Sequence, residues 1–480
     1  MKTAEQVATK KAWAKVMSRP AIEFPPTQLA VKSGKIPAGL RGSLYRNGPA
    51  RLQRGSDRVG HWFDGDGAIL AIHFSEAIAT ATYRYVQTAG YQAEENAGKF
   101  LYSNYGMTAP GPLWLKWLKS VKNTANTSTI ALPDRLLALW EGGFPHALDL
   151  ETLETKGLDD LSGLKSGWTY SAHCKRDPHT GHLFNFGLIP GIKSKLNVYK
   201  SNATGKIIQK TTVLLDRLSL IHDFVLAGQY LVFFIPPLQV NPWPVLAGLS
   251  SYGDSLQWQP QFGTQVLVFD RDTLSLVSRG EADPWFQWHF ANGYVSEEGS
   301  ALVDLVRFPD FQTNQRLKEV ARGATTTDAE GSLWRVSLNP ETGKVTALEE
   351  LCDRPCEFPT IPAAEVGQPS RYTYLAVYRP GVEIVPERYG AIARFDNQTR
   401  TLTLADCGEN RYPAEPIYAP DSLNPHQGWI LTVIYDGDSD ESEVWIYDSN
   451  ALDQEPTCRL ALPQAVPLSF HGTWNPQPSR

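Results

Sequence analysis

The sequence feature that most restricts the fold is a turn motif that recurs about every 60 residues. In each copy an apolar strand end is followed by Asp, Asn or Ser with Thr or Gly nearby, and then by a second strand, which is the chemistry of a β-hairpin. The copies lie at 148–158, 198–208, 268–277, 336–348, 394–404 and 446–460. We interpret FDGDG at 63–67 as a seventh hairpin. The spacing predicts an all-β fold, a seven-bladed β-propeller that forms a single domain over 1–480, whereas a pair of β-sandwiches would not need a hairpin in every repeat.

Composition narrows the function classes. The net charge of −6 argues against a nucleic-acid partner, because such proteins present strongly basic surfaces. Five cysteines in 480 residues do not form a disulfide framework and are typical of thiols in a reducing compartment. Helical patterns are confined to an N-terminal segment over 1–20 and to 112–122.

The chain has no segment typical of secretion or membrane spanning. The N-terminus lacks an apolar centre, and the most apolar stretch, 231–238, is about 8 residues long where a spanning helix needs about 20. We therefore expect a cytoplasmic protein. The 112–122 helix has a face with Trp114 and Trp117 opposite lysines, and with the apolar loop 236–249 it favours peripheral attachment to a membrane surface. The alternative is an ordinary amphipathic helix packed on the propeller.

Six ionisable residues in apolar surroundings follow the period of the repeat. They are His173, His222, His289, Glu357, Glu415 and His471, and from the second onward they step by 67, 68, 58 and 56 residues. The innermost strands of a propeller converge on its axis, so one such residue per blade would meet there. Burying these groups together is costly unless they are paired or bound to a metal, and nitrogen ligands suit iron, zinc, copper or nickel. The alternative is that each histidine bonds its local backbone. His179 and His182 lie in an Asp-Pro turn, and we expect them to be exposed.

A set of motifs in fixed order resembles the carotenoid cleavage oxygenase family over nearly the whole chain. The motifs are GSLYRNGPA at 42–50, HWFDGDGAI at 61–69, LALWEGGFPH at 137–146, SAHC at 171–174, IHDF at 221–224, HFANGY at 289–294, CEFP at 356–359, EPIYAP at 415–420 and FHGTW at 470–474. The resemblance implies a seven-bladed propeller with a helical and loop dome over an axial iron site. It implies that Fe²⁺ is held by His173, His222, His289 and His471.

The resemblance also implies the residues around the metal. Three glutamates would hold three of the imidazoles: Glu141 with His222, Glu357 with His289 and Glu415 with His471, leaving His173 without a carboxylate. Thr127 matches a residue whose methyl group obstructs one open position at the metal. Four residues match or flank positions of an apolar substrate tunnel: Phe63, Trp140, Leu220 and Trp288. Each of these four is equally compatible with plain core packing.

The expected activity is oxidative cleavage of a conjugated double bond. The leading hypothesis is an iron-dependent dioxygenase that uses molecular oxygen to cleave an apocarotenoid at the central 15,15′ bond and gives a retinal-type aldehyde. Alternatives are cleavage of full-length carotenoids at 9,10 and 9′,10′ or of stilbenes, isomerase chemistry at the same iron, and a non-enzymatic propeller scaffold, which would need no buried metal ligands.

Overall fold

The computed structural model describes residues 10–112, 121–191 and 193–477. These residues form mostly strands, and their four α-helices are short: α1 (Ala14–Met17), α2 (Ala89–Ala97), α3 (Pro242–Leu246) and α4 (Gln312–Val320). Helix α1 lies in the predicted N-terminal helical segment, whose residues 1–9 fall outside the described residues. Most of the predicted 112–122 helix, residues 113–120, also lies outside them.

The strands form seven antiparallel sheets, numbered I to VII and given below from the innermost strand outward. Sheet I contains Gly472–Pro476, Gly42–Arg51, Asp66–Ser75, Ile78–Tyr85 and Phe24–Gln28. Sheet II contains Ser128–Ala131, Leu136–Leu139, His146–Leu148 and Thr155–Leu158. Sheet III contains Lys175–Arg176, Leu183–Ile189, Ser194–Ser201 and Ile207–Leu215. Sheet IV contains Val225–Ala227, Tyr230–Ile235, Thr264–Asp270 and Leu276–Ala282.

The remaining three sheets follow the same order along the chain. Sheet V contains Phe290–Val295, Ala301–Arg307, Ser332–Asn339 and Lys344–Cys352. Sheet VI contains Cys356–Thr360, Tyr372–Val377, Ala391–Asp396 and Thr401–Asp406. Sheet VII contains Arg411–Pro413 and Ile417–Pro420, which both pair with Gly428–Asp436, then Glu441–Asp448, Cys458–Ala461 and Ala30–Gly34. Two small ribbons, Gln53–Arg54 with Asp57–Arg58 and Leu238–Val240 with Leu256–Trp258, complete the strands of the described residues.

The seven sheets surround a common axis. Residues from all seven innermost strands line one axial cavity, and the innermost strands of sheets IV and V run parallel, bridged at Ala227 and Gly293. The two ends of the chain close the ring, because Gly472–Pro476 joins sheet I and Ala30–Gly34 joins sheet VII. Radial repetition of this kind leaves only short sheet edges at the outside of the ring. This is the predicted propeller arrangement.

The hydrophobic core lies between neighbouring sheets rather than at the axis. One cluster joins Phe184 and Phe186 of sheet III to Phe233, Leu267 and Phe269 of sheet IV. The outermost strand of sheet III alternates partly buried and exposed residues along Ile207–Leu215, as expected for a strand with one face in solvent. The axis is therefore free of this packing and accommodates polar side chains.

The recurrent turn connects the third strand to the fourth strand in sheets II to VII. At Asp149, Asp270, Asn339 and Asp396 the side-chain oxygen accepts hydrogen bonds from the backbone N–H groups two and three residues later. This local bonding explains why the motif repeats in the sequence.

The expected seventh hairpin at 63–67 is wrong. Residues Trp62–Asp64 form a 3₁₀ turn that enters the strand Asp66–Ser75. The corresponding turn of sheet I joins Ser75 to Ile78 through Glu76 and Ala77, which both have positive φ. A turn with positive φ at both positions normally contains Gly or Asn. This turn contains Glu and Ala instead, so its sequence does not resemble that of a turn.

Candidate metal centre

Each of the seven innermost strands brings one residue to the same end of the axis. The residue lies within three positions of the start of its strand, and the seven are Thr127, His173, His222, His289, Glu357, Glu415 and His471. The structure thus explains the series found in the sequence. It also extends that series to Thr127 on sheet II, 46 residues before His173, which the sequence reasoning did not place in it.

Four imidazoles converge on the axis. One ring nitrogen from each of His173, His222, His289 and His471 lies within 4.8 Å of the other three. The Nε2 atom of His222 is 2.9 Å from that of His173 and 3.3 Å from that of His289. Two ligands at right angles around a cation, each about 2.1 Å from it, stand about 3.0 Å apart. The arrangement of the four nitrogens therefore fits a single transition-metal ion.

The electrostatics of the cluster favour neutral imidazoles around a cation. Burial, together with the neighbouring histidines, lowers the pKa of His173 and His289 well below the ordinary value. At His222 burial acts in the same direction, but the nearby Glu141 carboxylate outweighs it and raises the pKa. Several protonated rings would repel one another in this space. Neutral rings can instead direct their nitrogen lone pairs at one metal ion.

Three glutamates stand behind three of the histidines, in the pairs that the resemblance implied. Glu357 Oε2 lies 2.5 Å from His289 Nδ1, Glu415 Oε1 lies 2.8 Å from His471 Nδ1, and Glu141 pairs with His222 Nδ1. A proton on Nδ1 that is donated to a carboxylate leaves the Nε2 lone pair facing the axis.

The environments of the three carboxylates differ. Glu415 also accepts a hydrogen bond from the backbone N–H of Gly472, and although burial opposes it, His471 lowers the pKa of this carboxyl. Burial raises the pKa of Glu357 to about 7. The Glu141 side chain comes from the loop between two strands of sheet II and is 28% exposed, against 7% for Glu357 and 6% for Glu415.

His173 is held differently from the other three. No carboxylate pairs with its ring among the described residues. Its backbone N–H donates to Ser171 Oγ at 3.1 Å, and Ser171 in turn donates to the backbone carbonyl of His222. His173 also lines the axial cavity.

An aromatic cavity covers the other side of the histidines. Phe63 is stacked on His222 with ring centroids 6.4 Å apart, and Trp288 meets the same imidazole edge-on at 4.9 Å. Thr127 lines this cavity too, with its hydroxyl donated to Asn126 Oδ1. The cavity wall comes from the Trp62–Asp64 turn, from α4 and from the loop before Ala391–Asp396, which together form the dome.

The four expected tunnel residues do not share one location. Phe63 and Trp288 line the cavity, whereas Trp140 and Leu220 are not among its described lining residues. Leu220 packs in a buried cluster with Trp288. The Trp140 ring lies against Gly142 and Gly143, where added Cβ atoms would stand 2.5 and 3.3 Å from it.

The sequence reasoning missed further residues of the cavity: Phe358, Arg388, Tyr389 and Phe470. Phe358 and Phe470 lie next to Glu357 and His471 inside recognised motifs. Their position beside these residues could have identified them as part of the site. Phe358 has a φ of 53°, an uncommon backbone conformation for a bulky residue, and such residues cluster at functional sites. Arg388 and Tyr389 carried no signal in the sequence.

The chain is similar to known proteins over nearly its whole length. The family model described as retinal pigment epithelial membrane protein, RPE65, matches residues 17–476. The chain is 32% identical over 458 residues to apocarotenoid-15,15′-oxygenase from Synechocystis, which covers 92% of this chain and 91% of that protein. It is 27% identical to isoeugenol monooxygenase from Pseudomonas nitroreducens, over 93% of this chain and 94% of that protein.

Solved structures extend the likeness to three dimensions. The crystal structure of cobalt-substituted Synechocystis apocarotenoid oxygenase superposes with a TM-score of 0.87 and 30% identity, covering 97% of this chain and 98% of the other. The match to the family model spans nearly the whole chain, and the fold agrees throughout. The chain therefore belongs to the RPE65 family of carotenoid oxygenases.

Proposed function

We propose that this protein is an iron-dependent oxygenase that cleaves a conjugated carbon–carbon double bond of an apocarotenoid, at the 15,15′ position. The observation that carries the proposal is the convergence of four imidazole nitrogens within 4.8 Å, against an aromatic cavity. Cleavage breaks the double bond and places one oxygen atom on each carbon, so one alkene and one dioxygen give two carbonyl products.

The metal is held by His173, His222, His289 and His471, with Glu141, Glu357 and Glu415 orienting three of the rings. Neutral nitrogen donors suit iron among other transition metals and do not suit calcium or magnesium. Fe²⁺, when bound, supplies the activation of dioxygen. The glutamates contribute negative charge next to the site without taking up coordination positions.

The cavity residues position the alkene. Phe63 and Trp288 form apolar walls next to His222, which exclude water and align a flat polyene. Thr127 is fixed by its hydrogen bond to Asn126, and we propose that its methyl group narrows access to one position at the metal. Trp140 and Leu220 stay predicted tunnel residues outside the described cavity.

The relatives define the competing substrates. Two relatives that are each 27% identical to this chain are named resveratrol cleavage oxygenase 1, from Aspergillus fumigatus, and 9-cis-epoxycarotenoid dioxygenase NCED2, from rice. We favour an apocarotenoid because the 32% identical relative bears that activity in its name. Stilbenes and full-length carotenoids are the alternatives that the experiment must separate.

Product identification tests the proposal. Purified, iron-loaded protein is incubated separately with a C30 apocarotenal, β-carotene and resveratrol, and products are identified by chromatography and mass spectrometry. Retinal from the apocarotenal, with the other two compounds intact, is the expected result. Products from resveratrol alone or from β-carotene alone would show that the substrate is a stilbene or a full-length carotenoid instead. Intact compounds in all three reactions would contradict cleavage.

We also propose that this protein is cytoplasmic and attaches peripherally to a membrane, from which the apolar substrate enters. None of the described helices is long and apolar enough to cross a bilayer. In the 236–249 segment Trp243, Leu246 and Leu249 are between 67% and 77% exposed on and beside α3. Exposed apolar side chains grouped in this way mark an interaction surface.

Liposome binding tests the attachment. The double variant Trp243→Glu with Leu246→Glu is expected to bind liposomes several-fold more weakly while keeping its metal content. Leu423→Glu is the matched control, because Leu423 is 65% exposed and lies in the loop between Ile417–Pro420 and Gly428–Asp436 of sheet VII rather than in this segment. Equal liposome binding by both variants and by the unaltered protein would overturn the proposal.

A further inference from the structure

Two buried arginines line the aromatic cavity. Arg316 lies on α4, and Arg388 lies in the loop before Ala391–Asp396 of sheet VI. Arg388 is 6% exposed and Arg316 is 3% exposed. A buried guanidinium needs acceptors for its N–H groups, because removing it from water is otherwise costly.

Arg316 has its acceptors in the protein. Its Nη atoms donate to the Tyr378 hydroxyl and to four backbone carbonyls, those of Thr327, Ile384, Val385 and Glu387, at 2.8 to 3.1 Å. It ties α4 to the neighbouring loop and has few donors left. Arg316 is therefore a structural residue.

Arg388 is different. Its buried Nε has no partner, which is also true of Arg316. Among the described residues, however, the Nη atoms of Arg388 make no hydrogen bond and no ion pair, whereas those of Arg316 make five hydrogen bonds. Arg388 lies over the rings of Trp62 and Tyr389, at 5.2 and 5.3 Å from their centroids. Burial lowers the pKa of Arg388, but an arginine stays protonated at neutral pH. The cavity thus holds a charged group whose donors lack acceptors.

We propose that Arg388 binds an oxygen-bearing end of the substrate, and a carboxylate most tightly. This inference rests on the proposed function and adds which residue binds the oxygenated end of the apocarotenoid and which form of that end it prefers. A guanidinium offers a planar fork of donors that matches a carboxylate. Such a ligand would supply the acceptors that the protein does not.

The surroundings of Arg388 orient the ligand. Phe358 lies between the arginine end and the metal centre, 6.3 Å from the Tyr389 ring and 5.4 Å from the His471 ring. Glu357 lines the histidine end of the same cavity and is already hydrogen-bonded to His289. Because the free donors are those of Arg388, the oxygen end lies there and the apolar chain extends past Phe358 towards the histidines.

Ligand binding tests the inference separately from turnover. All-trans-retinoic acid and its methyl ester serve as probes, because they share one polyene and differ in charge. Binding to the metal-loaded protein is measured at pH 8 by quenching of tryptophan fluorescence. We expect the unaltered protein to prefer the acid, and Arg388→Met to reduce that preference about 10- to 100-fold, the range for a hydrogen-bonded charged group.

Two further variants separate recognition from packing. Arg388→Lys keeps the charge and is expected to retain part of the preference. Leu317→Met alters an apolar side chain of the same cavity and is expected to change binding of acid and ester by the same factor. Thermal unfolding of each variant checks its folding. If Arg388→Met does not fold, the preference of the unaltered protein for acid over ester decides.

A preference for the ester in the unaltered protein would overturn the inference. So would equal weakening of both probes in Arg388→Met, which would mean that Arg388 only packs against Trp62 and Tyr389. Cleavage assays on an apocarotenoic acid and its ester then use the same variants. Selective acid binding without cleavage of any polyene would retain the role of Arg388 and reject the proposed function.

Discussion

The histidines on the axis and the buried histidines elsewhere face the same cost of burial and meet it in different ways. His61 donates from Nε2 to the Asn314 carbonyl at 3.2 Å and accepts from the Phe63 N–H at Nδ1, so local groups satisfy its ring. His146 starts a strand of sheet II, and its buried Nδ1 has no partner among the described residues. Burial lowers the pKa of His61 to about 3 and that of His146 to about 4.

The axial histidines differ from both His61 and His146. Their Nε2 atoms face one another rather than backbone groups, and carboxylates stand behind three of them. Burial of a histidine therefore does not by itself indicate a metal. Convergence of ring nitrogens, combined with carboxylates on the far side, does.

The largest expected effect comes from removing an axial ligand. His289→Ala should lose most of the bound iron and lower kcat/KM by more than the about 100-fold that loss of an outer carboxylate costs. His146→Gln is the control and should keep its iron. Metal analysis and turnover assays are made on both variants. A His289→Ala protein with full iron content would contradict the role of His289 as a metal ligand.

The second prediction concerns pH and His146. Its pKa is about 4 in the folded protein and about 6.5 in the unfolded chain, so its contribution to stability is fully present above pH 6.5 and is lost as the pH falls to about 4. At about 1.4 kcal/mol per pKa unit, this loss is about 3 kcal/mol.

Denaturant unfolding of the unaltered protein and His146→Gln between pH 4 and 7 measures this loss. Between pH 7 and pH 4, the His146→Gln variant should lose about 3 kcal/mol less stability than the unaltered protein. Parallel pH profiles for the two proteins would show that His146 gains a partner on protonation.

The third prediction tests the role of the carboxylates behind the histidines. Glu415→Gln removes the charge behind His471 and leaves one amide oxygen for two donors, His471 Nδ1 and the Gly472 N–H. We expect iron affinity or kcat/KM to fall about 10- to 100-fold. Competition with a chelator and steady-state kinetics measure the two quantities, and unaltered values would contradict the orienting role.

The smallest effect is expected at Glu141. Its side chain is 28% exposed, so water screens its charge more than at Glu415. Glu141→Gln should therefore weaken iron binding by several-fold, less than Glu415→Gln does. The same chelator competition compares the two variants, and an equal or larger loss at Glu141 would show that exposure does not rank the carboxylates.

The turn motif was predictable because its chemistry is local. An Asp or Asn at the end of a third strand bonds the N–H groups two and three residues on, whatever the rest of the chain does. The turn at Glu76 and Ala77 escaped prediction because the sheet around it, rather than its residues, imposes the positive φ values.

The metal-centre residues were predictable to different degrees. Regular spacing identified the four histidines, Glu357 and Glu415, because each occupies the same position in its repeat. Glu141 lies in a loop at a different position and was found only through the family resemblance. Thr127 occupies the common position but bears no ionisable group, so the search for histidines and acids passed over it.

The repeat, the family and six of the seven residues that meet on the axis could be predicted from the sequence, since strand order and turn bonding depend on neighbours along the chain. Which loops close over the axis could be seen only in the folded protein. Arg388 lies over Trp62, 326 positions away in the sequence. No local pattern records that contact, because it arises when loops from different sheets reach the same end of the ring. The charge in the cavity, and with it the proposed choice of substrate, was therefore visible only in the fold.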